Sequence, residues 1–88
     1  MTAEGAPAFA RGVRLRRDPD GSMMLLVPEG VVRLNASAGA ALSLVDGQRT
    51  VHEIVSELAR RDFDVPAERI EADVTALLER LRRRRFIR

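Results

Sequence analysis

The chain has 88 residues, of which 45% are hydrophobic, and this size fits one small domain with a modest core. It contains no cysteine, which excludes disulfides, thiolate nucleophiles and cysteine-based metal sites. Its 15 basic residues are all arginine, but 13 acidic residues leave a formal net charge of only +2. The composition therefore does not indicate the strongly positive field that draws nucleic acids to a protein surface.

Apolar segments are too short for a membrane protein. The longest uninterrupted apolar run, residues 23–27, is far below the roughly 20 residues that a helix needs to span a bilayer. The N-terminus also lacks the basic and then apolar pattern of a secretion signal. We therefore expect a cytoplasmic protein without membrane association.

The first residues have the composition of a flexible lead-in. Residues 1–8 include Gly5 and Pro7 and show no hydrophobic periodicity, which is typical of terminal segments without fixed structure. We predict a disordered N-terminal segment over residues 1–8 and a single folded domain over residues 9–88.

The next part of the chain predicts three short strands joined by tight turns. Residues 13–16 alternate between apolar residues and arginine, as in a strand with one solvated face. Residues 18–21 have turn chemistry, with a proline and a glycine. Residues 23–27 are apolar on both faces, which favours a central strand. After a second turn at 28–30, residues 31–34 form the third strand.

The third predicted strand is a candidate binding element because its place in a three-stranded meander puts it at an edge of the sheet. Many edge strands are only the ends of sheets. An open edge can also accept a partner peptide as an additional strand, whose alternate side chains enter apolar pockets. Residues 31–34 could therefore bind an extended peptide.

Two helices follow the strands. Asn35 is suited to cap a short helix rich in small residues, and Asp46 with Gly47 predicts its end. Thr50 and Glu53 then form a capping box, in which each side chain satisfies a free amide at the start of the second helix.

A third and longer helix begins after a break at residues 64–66, with Pro66 predicted at its first position. Its apolar residues fall at i, i+4, i+7, i+8 and i+11, which places them in one stripe: Ile70, Val74, Leu77, Leu78 and Leu81. Arginines at its C-terminal end complement the helix dipole. The sequence thus predicts a winged-helix-like α+β domain, a three-stranded antiparallel sheet followed by three helices.

Catalytic motifs are missing from the sequence. His52 is the only histidine and lies in the first turn of a capped helix, without other metal ligands at suitable spacing. The serines lack a nucleophile-elbow motif, and no glycine-rich phosphate loop is present. We therefore expect that the protein is not an enzyme and has no catalytic residue, metal site or cofactor.

The arginine run 82–85 admits a second hypothesis. Together with a hairpin and three helices, it matches the inventory of a winged-helix DNA-binding protein. However, the second and third helices carry several acidic residues, which would approach the DNA phosphates in such a complex: Glu53, Glu57, Asp62, Glu68, Glu71, Asp73 and Glu79. We therefore expect no nucleic-acid partner, with DNA binding as the alternative.

Several short motifs, in order, give the chain a resemblance to a known family. They are residues 11–13 (Arg-Gly-Val), 26–29 (Leu-Val-Pro-Glu), 34–35 (Leu-Asn), 46–47 (Asp-Gly) and 50–55 (Thr-Val-His-Glu-Ile-Val). With these motifs the chain resembles the PqqD family, the peptide chaperones of pyrroloquinoline quinone biosynthesis, over nearly all of its length after Pro7.

The resemblance implies a function and a binding site. It implies a non-catalytic chaperone that binds the leader of a ribosomal precursor peptide and presents it to a radical S-adenosylmethionine enzyme. The leader would lie against the third strand, beside the third helix. The implied peptide-binding residues are Val31, Val32, Arg33, Leu34, Val74, Leu77, Leu78 and Leu81, although some of those on the helix must belong to the core.

Two departures concern charge. Many members of the family carry an acidic residue where Arg33 stands and a glycine near the final helix end, where residues 83–85 are arginine. These departures concern the charge preference of the site and not the mode of binding. A recognition domain for another modified-peptide pathway is a separate alternative. A homodimer formed by strand exchange also stays open, because a small domain with an N-terminal hairpin and a spare edge could exchange strands with a copy of itself.

Overall fold

The structure is a computed structural model that describes residues 6–62 and 64–88. It confirms the predicted α+β order of strands first and helices after. The elements are β1 (Arg14–Arg17), β2 (Met23–Val27), β3 (Gly30–Leu34), α1 (Ala36–Leu42), α2 (Val51–Arg61) and α3 (Ala67–Arg83).

The three strands form an antiparallel sheet in the order β1-β2-β3. The apolar β2 is central, as its sequence predicts, and Leu25 at its middle is completely buried. The turn between β1 and β2 closes through Gly21, whose φ of 93° suits glycine, and whose N–H donates to the carbonyl of Asp18 at 2.9 Å.

The register of the sheet determines which way the main-chain groups of β2 point. The N–H of Asp18 donates to the carbonyl of Ser22 at 2.8 Å, so these residues form a hydrogen-bonded pair next to the turn. Because such pairs alternate along antiparallel strands, Arg16 with Met24 is the next hydrogen-bonded pair. Met24 therefore turns its N–H and C=O toward β1, and Leu25 turns its own toward β3.

The same alternation identifies the free main-chain groups of β3. Val32 lies opposite Leu25, and Leu34 lies opposite Met23, so Val32 and Leu34 direct their N–H and C=O toward β2. The intervening residues Val31 and Arg33 therefore direct theirs away from the sheet.

The starts of the three helices show how well the capping signals in the sequence predict helix boundaries. Asn35 caps α1 by accepting the N–H of Ala38 at 2.8 Å. Both bonds of the predicted capping box are present, since Thr50 accepts the N–H of Glu53 at 3.0 Å and Glu53 accepts the N–H of Thr50 at 2.8 Å. Pro66 is the N-cap of α3, one position before the predicted one.

The predicted end of α1 at Asp46 and Gly47 was wrong. The helix ends at Leu42, and the N–H groups of Leu44 and Val45 then donate to carbonyls three residues back in a tighter turn. Leu44 and Val45 are nevertheless buried, so the apolar pattern continues after the helix has ended.

The C-terminal end of α3 closes with a Schellman motif. The N–H of Arg85 donates to the carbonyl of Arg82 at 3.0 Å, and the N–H of Phe86 donates to the carbonyl of Leu81 at 2.9 Å. Arg85 has a φ of 67°, a left-handed conformation that glycine adopts more readily. The motif turns the chain back, and Phe86 is buried in the core.

The two ends of the described chain pair with each other. Phe9 and Ile87 form an antiparallel bridge, and the N–H of Arg88 donates to the carbonyl of Ala8 at 2.9 Å. Pro7 is completely buried, and its carbonyl accepts the N–H of Gly47 at 3.0 Å. Residues 1–5 of the predicted N-terminal segment lie outside the described residues, but Pro7 and Ala8 belong to the fold.

The core lies between the sheet and the three helices. It consists of aliphatic residues from every layer together with Phe86. Gly39 lets α1 approach the sheet closely, because a Cβ at this position would lie only 2.9 Å from Sδ of Met23. In the described part of the chain, no polar or charged side chain is buried, so the side chains of the interior pack through apolar contacts.

Candidate functional site

The open edge of β3 presents main-chain hydrogen-bonding groups. Among the described residues, no strand pairs with this edge, so Val31 and Arg33 each leave an N–H and a C=O free. The opposite edge of the sheet is β1, of whose four residues three are exposed arginines. Charged edge strands discourage the addition of further strands, so β3 is the better candidate for pairing with a partner.

The side chains of β3 divide between two faces. Val32 lies opposite the buried Leu25 and, with Leu34, faces the helices, where both are packed against the core. Val31 and Arg33 lie on the outer face, and Val31 is 56% exposed. A strand added to β3 would therefore turn alternate side chains toward the helices and toward solvent.

A large cleft of about 780 Å³ adjoins the C-terminal end of β3. Asn35 and Ala36 line it at the start of α1, Leu58 lines it from α2, and Val74 and Leu77 line it from α3. The small side chain of Ala36 leaves room here, and the apolar residues give the cleft a floor suited to apolar side chains.

A small cleft of about 340 Å³ adjoins the other end of β3. It is lined by the end of β2, the turn that follows, residues of β3 and the segment after α3: Val27, Glu29, Gly30, Val31, Val32, Arg84 and Phe86. Residues 30–32 line the small cleft, and Asn35, directly after the strand, lines the large one, so the open edge of β3 lies between the two clefts. The edge and the two clefts together make up one candidate surface. We call it the β3 groove.

The predicted site residues occupy different parts of this groove. Val31 and Arg33 offer main-chain groups, whereas Val32 and Leu34 offer side chains on the helix-facing side. On α3, all four predicted residues are buried; Val74 and Leu77 also line the large cleft, whereas Leu78 and Leu81 line neither cleft. The structure therefore brings six of the eight residues to the groove and places the other two in the core.

Other groove residues were not predicted as binding residues. Arg84 and Phe86 line the small cleft, and Ala36 lines the large one. The sequence indicated only that Phe86 anchors the chain and that the arginines complement the helix dipole. The run of small residues in α1 indicated that this helix could pack closely against another part of the protein. Which part it faces depends on tertiary packing, which the sequence pattern does not show.

Both clefts are lined by charges of both signs. Residues 80–88 contain six arginines and no acidic side chain, and in the described part of the chain none of these arginines lies within 4.0 Å of a carboxylate. The large cleft is mixed, with Asp62, Asp64 and Asp73 as well as arginines. Of these six arginines, only Arg84 lines the small cleft, where Glu29 also lies, and Arg80 lines the large one.

Arg33 has a carboxylate nearby but no ion pair among the described residues. The pKa of Asp20 is lowered mainly by the hydrogen bond from the N–H of Ser22, at 2.9 Å, and in smaller part by the positive charge of Arg33. The guanidinium of Arg33 thus remains available to a partner on the outer face of the sheet.

The described residues offer little to other kinds of site. No group of three or more histidine, cysteine or acidic residues in the described ranges is placed to hold a metal ion. His52 is exposed on α2. Of the helices in the described residues, none is both long enough and apolar enough to cross a membrane.

Comparison with known proteins agrees with the fold. Residues 22–87 match the family model of coenzyme PQQ synthesis protein D, PqqD. The chain is 46% identical over 74 residues to a PqqA binding protein of Stutzerimonas stutzeri, covering 83% of this chain and 78% of the relative. It is 39% identical over 89 residues to that of Xanthomonas axonopodis pv. citri, covering 100% and 96%.

Two solved structures are also similar. One is the solution NMR structure of the PqqD part of Methylobacterium extorquens PqqCD, described as a functional, stand-alone recognition element for ribosomally synthesized and post-translationally modified peptides. It has a TM-score of 0.78 and 38% identity, covering 93% of this chain and 87% of that one. The other, the crystal structure of PqqD from Xanthomonas campestris, has a TM-score of 0.62 and 35% identity, covering 100% and 98%. With this match in sequence and fold, the chain belongs to the PqqD family.

Proposed function

We propose that this protein binds the precursor peptide PqqA in the β3 groove and acts as a non-catalytic chaperone in pyrroloquinoline quinone biosynthesis. The observation that carries the proposal is the open edge of β3 between two clefts, in a chain whose relatives are named PqqA binding proteins. Such an edge suits a peptide that binds as an additional strand.

Main-chain pairing supplies one part of the affinity. Val31 and Arg33 each offer a donor and an acceptor to the peptide, and each hydrogen bond contributes roughly 0.5–1.5 kcal/mol net. A flexible peptide loses conformational freedom when it becomes a strand, which offsets roughly 2–5 kcal/mol of the gross contact energy. Main-chain pairing therefore needs support from apolar contacts.

The clefts supply the apolar part. Alternate side chains of a peptide strand on β3 point toward the helices, where Val32, Leu34 and the cleft residues Val74 and Leu77 receive them. The peptide sequence that fits has apolar residues at every second position of the bound segment. This pattern gives specificity without any contact to a catalytic group.

The chaperone acts by position. We propose that a separate radical S-adenosylmethionine enzyme modifies the bound peptide. Holding the peptide and the enzyme in one complex raises their effective concentration, so the rate increases without bond chemistry in this chain.

Winged-helix DNA binding is the weaker alternative. The arginines after residue 79 could contact phosphates, but exposed acidic residues lie on both α2 and α3, among them Glu53, Glu71 and Asp73. A helix with these carboxylates in a DNA groove would meet strong repulsion, so a peptide is the better partner for this surface.

Incubation followed by mass spectrometry tests the proposed function. The protein alone is expected to leave PqqA unchanged in mass. Together with the radical enzyme, it is expected to increase modification of full-length PqqA about tenfold or more at micromolar concentrations, since the leader becomes tethered.

The matched control is a PqqA variant without its leader, whose modification should change little when the protein is added. Modification of PqqA by this protein alone would contradict the non-catalytic role. Equal stimulation of the leaderless peptide would contradict the proposed mechanism.

A further inference from the structure

The small cleft has features that main-chain pairing does not use. Arg84 lies over the ring of Phe86, with its guanidinium carbon 5.1 Å from the ring centroid. Phe86 is only 6% exposed, so the ring is a fixed platform. An arginine stacked on an aromatic ring keeps the N–H groups at its edge free to form paired hydrogen bonds with a carboxylate.

Arg84 has no carboxylate partner within ion-pair distance among residues 6–62 and 64–88. Its neighbours along the chain add positive charge, because residues 82–85 are all arginine. Glu29 lines the same cleft from the turn before β3 and is the one acidic side chain among its lining residues. Within the cleft, Arg84 is therefore the group that could pair with an anion, and Glu29 opposes this pairing.

The backbone that follows is a second, independent observation. Arg85 is the one described non-glycine residue with a positive φ, although glycine would adopt this conformation with less strain. The turn at Arg85 returns Phe86 to the core beneath Arg84. The chain thus has a second arginine, in a conformation that glycine adopts more readily, next to the stacked one.

We propose that Arg84 and Phe86 form a carboxylate-binding subsite that receives an acidic side chain of the peptide bound on β3. This inference rests on the proposed function and names the class of peptide. The peptide segment paired with β3 has apolar residues at alternate positions and an aspartate or glutamate at its end beside Gly30. The subsite would fix the register of the peptide, because main-chain pairing alone permits sliding by two residues.

Calorimetry with synthetic PqqA tests the subsite. Arg84→Gln is expected to weaken binding by roughly 3- to 10-fold, the range for a charge-assisted hydrogen bond near the surface. Glu29→Gln is expected to strengthen binding, because it removes the opposing charge. The matched control is Arg82→Gln, which removes an exposed arginine that lines neither cleft and should have a smaller effect than Arg84→Gln.

A panel of PqqA peptides, each with one Asp or Glu changed to Asn or Gln, identifies the partner. One peptide of the panel should bind the original protein as weakly as PqqA binds the Arg84→Gln variant. Binding of that peptide to the Arg84→Gln variant should show no further loss of affinity. Circular dichroism should show that all protein variants are folded.

Equal effects of Arg84→Gln and Arg82→Gln, or no peptide in the panel that couples to Arg84, would overturn the subsite even if PqqA still binds on β3. Failure of PqqA to bind the original protein would overturn the proposed function as well. Arg84-dependent binding of a DNA duplex at 150 mM salt, without peptide coupling, would assign the arginine to nucleic acid instead.

Discussion

Arg33→Pro is expected to weaken the binding of PqqA by roughly tenfold or more while the domain stays folded. The N–H of Arg33 points to the open edge, so proline removes a donor to the peptide and places its ring where the peptide backbone would lie. Proline is tolerated on edge strands when its position faces outward. Calorimetry gives the affinity, and thermal unfolding gives the stability.

Val32→Pro is the matched comparison. The N–H of Val32 faces β2, so its loss leaves a carbonyl of the buried Leu25 without a donor and should lower the free energy of unfolding by about 1–3 kcal/mol. Arg33→Ala keeps the N–H and removes only the side chain, so it separates main-chain pairing from charge. Unchanged affinity in a folded Arg33→Pro protein would eliminate strand addition at β3.

Leu78→Ala is expected to lower the free energy of unfolding by about 2–5 kcal/mol, the range for removing a large side chain from a packed core. Leu78 is 2% exposed and lines neither cleft. A domain with a total stability of roughly 5–15 kcal/mol loses a large part of it. Urea unfolding measures the change.

Leu77→Ala provides the contrast because Leu77 is also buried but lines the large cleft. Both variants should be less stable. Among the molecules that remain folded, only those of Leu77→Ala should bind PqqA more weakly than the original protein does. If Leu78→Ala weakens that binding as much, the division of α3 into core and groove residues is incorrect.

Local chemistry in the sequence was enough to predict most elements. The alternation of residues 13–16, the apolar run 23–27 and the capping box at Thr50 each indicate one structure because the signal lies within a few residues. The end of α1 was mispredicted for a physical reason: Leu44 and Val45 are buried, so their apolar character reflects packing and not helix continuation.

The groove could be predicted only in part. The meander order places β3 at an edge, but the direction of its amides requires the register, which depends on pairing across the sheet. One apolar stripe contains Val74, Leu77, Leu78 and Leu81, all of them buried. Helical periodicity cannot show which of these core residues also line a cleft. The contact of Arg84 with Phe86 depends on the Schellman turn, which the arginine at position 85 does not indicate.

Hydrogen exchange followed by NMR is the most direct test of strand addition to β3. When PqqA is added, the amides of Val31 and Arg33 should become protected, whereas the outward-facing amides of Leu15 and Arg17 on β1 should exchange as before. A dilution series without peptide serves as the control, since pairing between two copies of the chain would protect the same edge in a concentration-dependent way. Protection of Val31 and Arg33 that requires PqqA is the result we predict. Unchanged exchange at both residues with PqqA bound, or protection confined to β1, would contradict binding in the β3 groove.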